Sequence, residues 1–176
     1  MFLFFNADHD KKKGDTSMKS YCLIIMKPDA LERGLVEDIL QRFKNSGFNI
    51  EIFGYKQVDE SLILKHYHQV VEKLGNSFKN MAINSFVGKG MIPIILSQEG
   101  EEAIANARAL IGPTDPSIAL SRTIRGDYGL DSMEKANQEN RCVNNLIHGS
   151  DSQESFLEEL GLWFNPETYE NYSNID

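Results

Sequence analysis

The chain has 176 residues, 41% of them hydrophobic and 25% charged, with a net charge of −8 at pH 7. That length can bury a sizeable core within one domain, and the acidic balance argues against nucleic acid, which asks for a basic face. No apolar run approaches the roughly 20 residues that span a bilayer, MFLFF at the start lacks the basic flank of a signal peptide, and two cysteines without a CxxC fit a reducing cytoplasm.

Residues 1–18 show no periodicity and read as a disordered tail, which leaves 19–176 as a single domain. YCLIIM (21–26) is a continuous apolar run and predicts a buried strand. Pro28 biases Lys27 away from helical geometry, so the lysine should stand at the strand's exit. Leu35, Val36, Ile39, Leu40 and Phe43 recur at helical spacing, with Gly47 as the stop. Phe48, Ile50 and Ile52 alternate, predicting a second strand. Leu62, Leu64, Tyr67, Val70, Val71 and Leu74 predict a helix ending near Gly75, and Phe78, Ala82 and Phe86 mark a further helical stretch. MIPIIL (91–96) predicts a strand in which Pro93 favours a sheet edge or a strand start.

Ala103, Ile104, Ala107, Leu110 and Ile111 predict the next helix, closed by Gly112. Residues 113–122 form a turn-rich loop and 129–141 a polar surface excursion. CVNNLIH is a short extended segment, and Ser152 to Leu160 form a last helix with Gly161 after it. Strands and helices alternate, so we read an α+β fold: a ferredoxin-like antiparallel sheet with helices on one face.

The chemistry concentrates in NLIHGSDS (145–152). Ser150 and Ser152 are both candidate N-caps, and Asp151 and Glu154 suit a first helical turn. A helix N-terminus offers free N–H groups to an anion, and His148 stands just before it. A histidine nucleophile must be neutral, as about three-quarters of an unperturbed imidazole is at pH 7. Cations nearby would lower its pKa and a carboxylate such as Glu159 would raise it while fixing the tautomer. Singly, these residues have plainer readings: a cap, an exposed helix position, a loop ion pair. His9, His66 and His68 read as tail or helix surface. No GxxxxGK[ST] occurs, so no P-loop is present.

Together the residues resemble a known family. NLIHGSDS resembles the active-site signature of nucleoside diphosphate kinases, MKPDALERGLV (26–36) their first strand and turn, TIRGD (123–127) their arginine-bearing segment and GLWF (161–164) the run after the last helix. The similarity runs in order from about residue 20 to 170. It implies that His148 accepts the phosphoryl group while Glu159 orients its ring and Ser150 supports the histidine or its carboxylate partner. Lys27, Tyr67, Arg108, Thr114 and Arg125 would hold phosphates, and Lys27 and Asn145 the ribose hydroxyls. Asp151 would meet Mg2+ through water, and Phe78 would stack on the base.

The resemblance further implies that nucleoside tri- and diphosphates are the partners, handled in ping-pong order with broad base tolerance, by a homo-oligomer that is most often a hexamer. Two rivals are a nucleotide-binding module without catalysis and a metal-dependent hydrolase using His148 and Asp151; the second lacks a further histidine to complete its ligand set. The chain departs from the family at Ala30, where glycine is usual, between Tyr67 and Met91, and at 128–144, which is about ten residues longer. The second departure leaves open whether Phe78 is the stacking aromatic.

Overall fold

Six strands form one antiparallel sheet in the computed structural model, which describes residues 5–6 and 18–173. They are β1 (Phe5–Asn6), β2 (Lys19–Met26), β3 (Asn49–Phe53), β4 (Lys56–Gln57), β5 (Gly90–Glu99) and β6 (Ile147–Gly149). The order is β1-β3-β5-β2-β6, with β4 paired to the start of β5. The four longer-range partners β3-β5-β2-β6, joined through helices, give the expected ferredoxin-like order.

Nine helices and one 3-10 turn connect the strands among the described residues: α1 (Pro28–Glu32), α2 (Val36–Asn45), α3 (Glu60–His66), α4 (His68–Phe86), α5 (Ala103–Ile111), the turn Pro116–Ile118, α6 (Ile124–Tyr128), α7 (Met133–Gln138), α8 (Gln153–Trp163) and α9 (Pro166–Ser173). Strand side chains alternate between faces. Cys22, Ile24 and Met26 of β2 therefore pack with Ile39 and Phe43 of α2 and Ala107 and Ile111 of α5. Leu23 and Ile25 point the other way, onto Ile63 of α3, Phe86 of α4 and Phe156, Leu160 and Trp163 of α8.

Helices thus cover both faces, where one was expected. The unbroken apolar run of β2 has this cause, because a strand buried on both faces has no polar side to alternate with.

Pro93 lies inside a central strand, not at an edge. A strand residue's N–H and C=O point to the same neighbour, and the Pro93 carbonyl accepts from the amide of Gly54 at 2.9 Å, one residue past the end of β3. The missing donor therefore faces the end of that neighbour, and the pairing of β5 with β2 stays continuous from Lys19 to Met26.

The helix expected over 62–74 is two. It breaks at Tyr67, and α4 then continues across Gly75, which stands at φ 72° and ψ −159°. The polar excursion contains α7, with Ser132 as cap and Ala136 buried. Helix α8 passes through Gly161 to Trp163, and α9 follows. Of the expected tail, residues 1–4 and 7–17 lie outside the described residues; Phe5 and Asn6 pair with Phe53 and Ile52.

Candidate active site

β6 pairs antiparallel with the end of β2, so that His148 stands opposite Ile25. That register puts the imidazole on the face covered by α3 and α8. Its Nε2 meets Glu159 Oε1 at 2.7 Å, and the other carboxylate oxygen accepts from Ser150 Oγ at 2.5 Å. Glu159 comes from the second turn of α8, whose start is fixed by reciprocal bonds between Ser152 and Ser155. Ser152 is therefore the cap, and Ser150, also a cap candidate by sequence, is instead buried against Glu159.

A carboxylate accepting at Nε2 assigns the proton there and leaves the Nδ1 lone pair for the adjoining cavity. Burial, and then the charges of Lys27 and Arg125, hold the His148 pKa down to about 3. The ring is neutral at any ordinary pH. Burial pushes the Glu159 carboxyl up, against the pull of His66 and of the Ser150 hydroxyl.

The cavity beside His148 encloses about 580 Å3. Lys27, at the exit of β2 ahead of Pro28 as expected, reaches Asn145 Oδ1 at 2.8 Å. Burial and the nearby Arg125 bring its pKa down to about 8. Asn145 is buried and its amide donates to the Thr114 carbonyl at 2.8 Å, which ties the loop after α5 to β6. Arg125 is buried too. Its guanidinium donates to the carbonyls of Gly112 (2.9 Å), Asn145 (3.1 Å) and Ile147 (2.6 Å), so it joins the end of α5 to the run entering β6 as well as charging the cavity. Arg108 is exposed and anchored to the Gly149 carbonyl at 3.3 Å.

Thr114 and Asp151 are exposed on the rim. Asp151 uses its amide on Ser155 Oγ, while its carboxylate makes no hydrogen bond or ion pair among the described residues. Tyr67 lines the same cavity, stacked on Phe86 at 5.8 Å, and burial raises its phenol pKa. Phe78 is the exception. It contacts Tyr67 edge-on at 5.6 Å and lines a second, apolar cavity of about 460 Å3. The two cavities share Lys27, Tyr67, Val70, Thr114 and Asn145, and so adjoin.

One residue read as helix surface belongs here. The His66 side chain is only 1% exposed, its ring lies 4.5 Å from that of His148, and its Nδ1 accepts from Trp163 Nε1 at 3.3 Å. Its Nε2 is buried without a hydrogen-bond partner among the described residues. Burial, then His148, holds its pKa down to about 3.

His66, His148 and Glu159 bring three ligand atoms within 4.8 Å of one another, so a second histidine does join His148, contrary to the sequence expectation. Two of those atoms are already spent on the bond between His148 and Glu159. The sequence carries one signal for the second histidine: His66 falls three residues after buried Ile63, on the same face of α3.

The family model for nucleoside diphosphate kinase matches residues 20–169. A nucleoside diphosphate kinase of Streptococcus pneumoniae is 41% identical over 142 residues, covering 80% of this chain and 96% of that protein. One from Gloeobacter violaceus is 39% identical over 143 residues, 81% of this chain and 86% of the relative. Among solved structures, a transition-state mimic of the Borrelia burgdorferi nucleoside-diphosphate kinase with bound vanadate and ADP superposes with a TM-score of 0.79 at 30% identity, covering 86% of this chain and 90% of that one. An NDP kinase from Pyrobaculum aerophilum gives 0.75 at 29%, covering 86% and 98%.

Proposed function

The chain belongs to the nucleoside diphosphate kinase family, and from that premise we propose that it moves a γ-phosphoryl group between nucleotides through His148. The enzyme is a phosphotransferase acting between nucleoside tri- and diphosphates. The observation that carries the residue assignment is the 2.7 Å bond from His148 Nε2 to Glu159, which leaves a neutral Nδ1 beside a cavity lined by cations.

Nδ1 attacks the terminal phosphorus of the donor, the bond to the leaving diphosphate oxygen breaks, and the phosphoryl group rests on the ring. The acceptor diphosphate then takes it by the reverse of the same step. One site serves both halves in turn, as ping-pong kinetics require. The bond broken and the bond made are alike, so little acid–base work is needed and charge stabilisation dominates.

Arg108, Arg125 and Lys27 supply positive charge and Thr114 and Tyr67 supply hydroxyls to the phosphates, while Lys27 and Asn145 reach the ribose. Glu159 fixes the ring's tautomer and takes up part of the charge that develops on it, and Ser150 holds Glu159. Mg2+ fits the rim through Asp151 by way of water, since magnesium keeps most of its waters and asks for one or two carboxylates with substrate phosphates. When bound, it neutralises phosphate charge. Phe78 stacks on the base, and a stacked base without edge contacts is weakly discriminated, so ATP, GTP and pyrimidine triphosphates all serve.

The working form is a hexamer, for which Ile118 and Leu120, 69% and 77% exposed on the 113–122 loop, supply an apolar surface. Light scattering that gave a monomer at micromolar concentration would remove this part. Buried, unpaired Cys22 and Cys142 suit the cytoplasm, and among the described residues no helix is long and apolar enough to cross a membrane.

Incubation with magnesium and γ-labelled ATP tests the assignment. An acid-labile, alkali-stable phosphate should appear on His148, and His148→Ala should lose both label and turnover. Turnover retained by that variant would reject the role.

A further inference from the structure

Helix α7 lies in the stretch 128–144, which is about ten residues longer than the family pattern, and its side chains Met133, Ala136 and Asn137 line the apolar cavity beside the proposed phosphate site. Opposite them stand Leu74, Phe78 and Met81 of α4. Two of these apolar walls are left open to solvent: Met133 is 38% exposed and Leu74 57%. Asn137 makes no side-chain hydrogen bond among the described residues.

The wall is held firmly. Arg141 grips Asp131 through both terminal nitrogens, at 2.5 and 2.9 Å, and the same carboxylate accepts the Asn144 amide at 2.8 Å. The ends of the excursion are thereby clasped together. The Cys142 amide donates to Ser85 Oγ at 3.0 Å, which fastens the clasp to α4.

Resting on the phosphotransferase reading, we propose that α7 is a second wall of the nucleotide-base pocket and that Met133 tunes specificity between bases. The ribose end is set by Lys27 and Asn145, which border both cavities, so a nucleotide whose phosphates sit at His148 directs its base between α4 and α7. A slot with an apolar wall on each side rewards ring area, so purine diphosphates are held more tightly than pyrimidine diphosphates. The preference is modest, about fivefold, the factor that burying one further small ring supplies. Asn137 adds a donor and an acceptor that can meet a base edge and, being able to turn over, excludes none.

Calorimetric titration of the full chain with ADP and with CDP tests this. ADP should bind about fivefold tighter than CDP, Met133→Ala should weaken ADP more than CDP and shrink the ratio, and Met133→Leu should restore it. Met133→Gln, which keeps the length but removes the apolar surface at a 38% exposed position, serves if Met133→Ala fails to fold, and should shrink the ratio as well. An ADP to CDP ratio equal in wild type and folded variants would overturn the proposal. Formation of phosphohistidine with such a flat ratio would remove the α7 wall alone. An α7-dependent ratio without phosphohistidine would keep the wall and remove the catalytic assignment.

Discussion

The imidazole of His148 differs from an ordinary histidine in what surrounds it. A free histidine is partly protonated at neutral pH, whereas burial and the charges of Lys27 and Arg125 keep His148 uncharged. On the proposed reading Glu159 then has two tasks, to orient the ring and to take up part of the charge that develops on it. Removing it leaves the phosphate contacts in place but frees the ring to turn. Glu159→Ala should therefore lower kcat by about 10- to 100-fold with a smaller change in KM, since misplacement of a reacting group costs up to about 100-fold. Steady-state kinetics with ATP and a diphosphate acceptor check it, and a change confined to KM would argue against orientation. His66 stands behind both residues, held by Trp163, and its burial beside His148 excludes a surface role.

At the scale of elements, two short segments position most of the site. The β2 exit places Lys27, and β6 with the cap of α8 places Asn145, His148, Ser150 and Glu159 within fifteen residues of chain. Both were legible, because a proline after an apolar run and serines before an amphipathic run have local physical causes. The kink of α4 was only half legible. Gly75 was a stop signal, yet the chain passes through it at φ 72° and ψ −159° and resumes helix toward Phe78 and Phe86. No heavy atom lies within 4 Å of a Cβ built there, so the constraint is conformational and not one of space. Gly75→Ala should cost about 1 to 3 kcal/mol, the price of a non-glycine residue in that region. Urea denaturation measures it, and an unchanged midpoint would mean that the backbone relaxes.

Across the whole molecule, two buried neutral histidines couple stability to acid. The pKa values of His66 and His148 fall from 6.5 to about 3 on folding. Between those values the unfolded chain binds more protons than the folded one, so stability rises with pH across the window and is fully present above it. Each imidazole adds a slope of up to about 1.4 kcal/mol per pH unit. Denaturation midpoints between pH 4 and 7 should climb accordingly, and His66→Gln should flatten the climb. A midpoint independent of pH over that range, for the wild type, would contradict the burial of both rings.

By itself the sequence determined the order of the four main strands and the longer helices, the lysine at the strand exit, the histidine before a capped helix and the family likeness, since each is written in neighbours along the chain. Only the tertiary structure decided that helices cover both faces, that Pro93 sits in a central strand, that Ser152 and not Ser150 is the cap, and that His66 lies against His148. It also decided that α7 borders the cavity adjoining that of His148. Apart from the cap, which is decided between Ser152, Ser155 and Glu159, these facts depend on which residues meet across more than ten positions of chain, and contacts of that kind are set by packing and register, which no local pattern encodes.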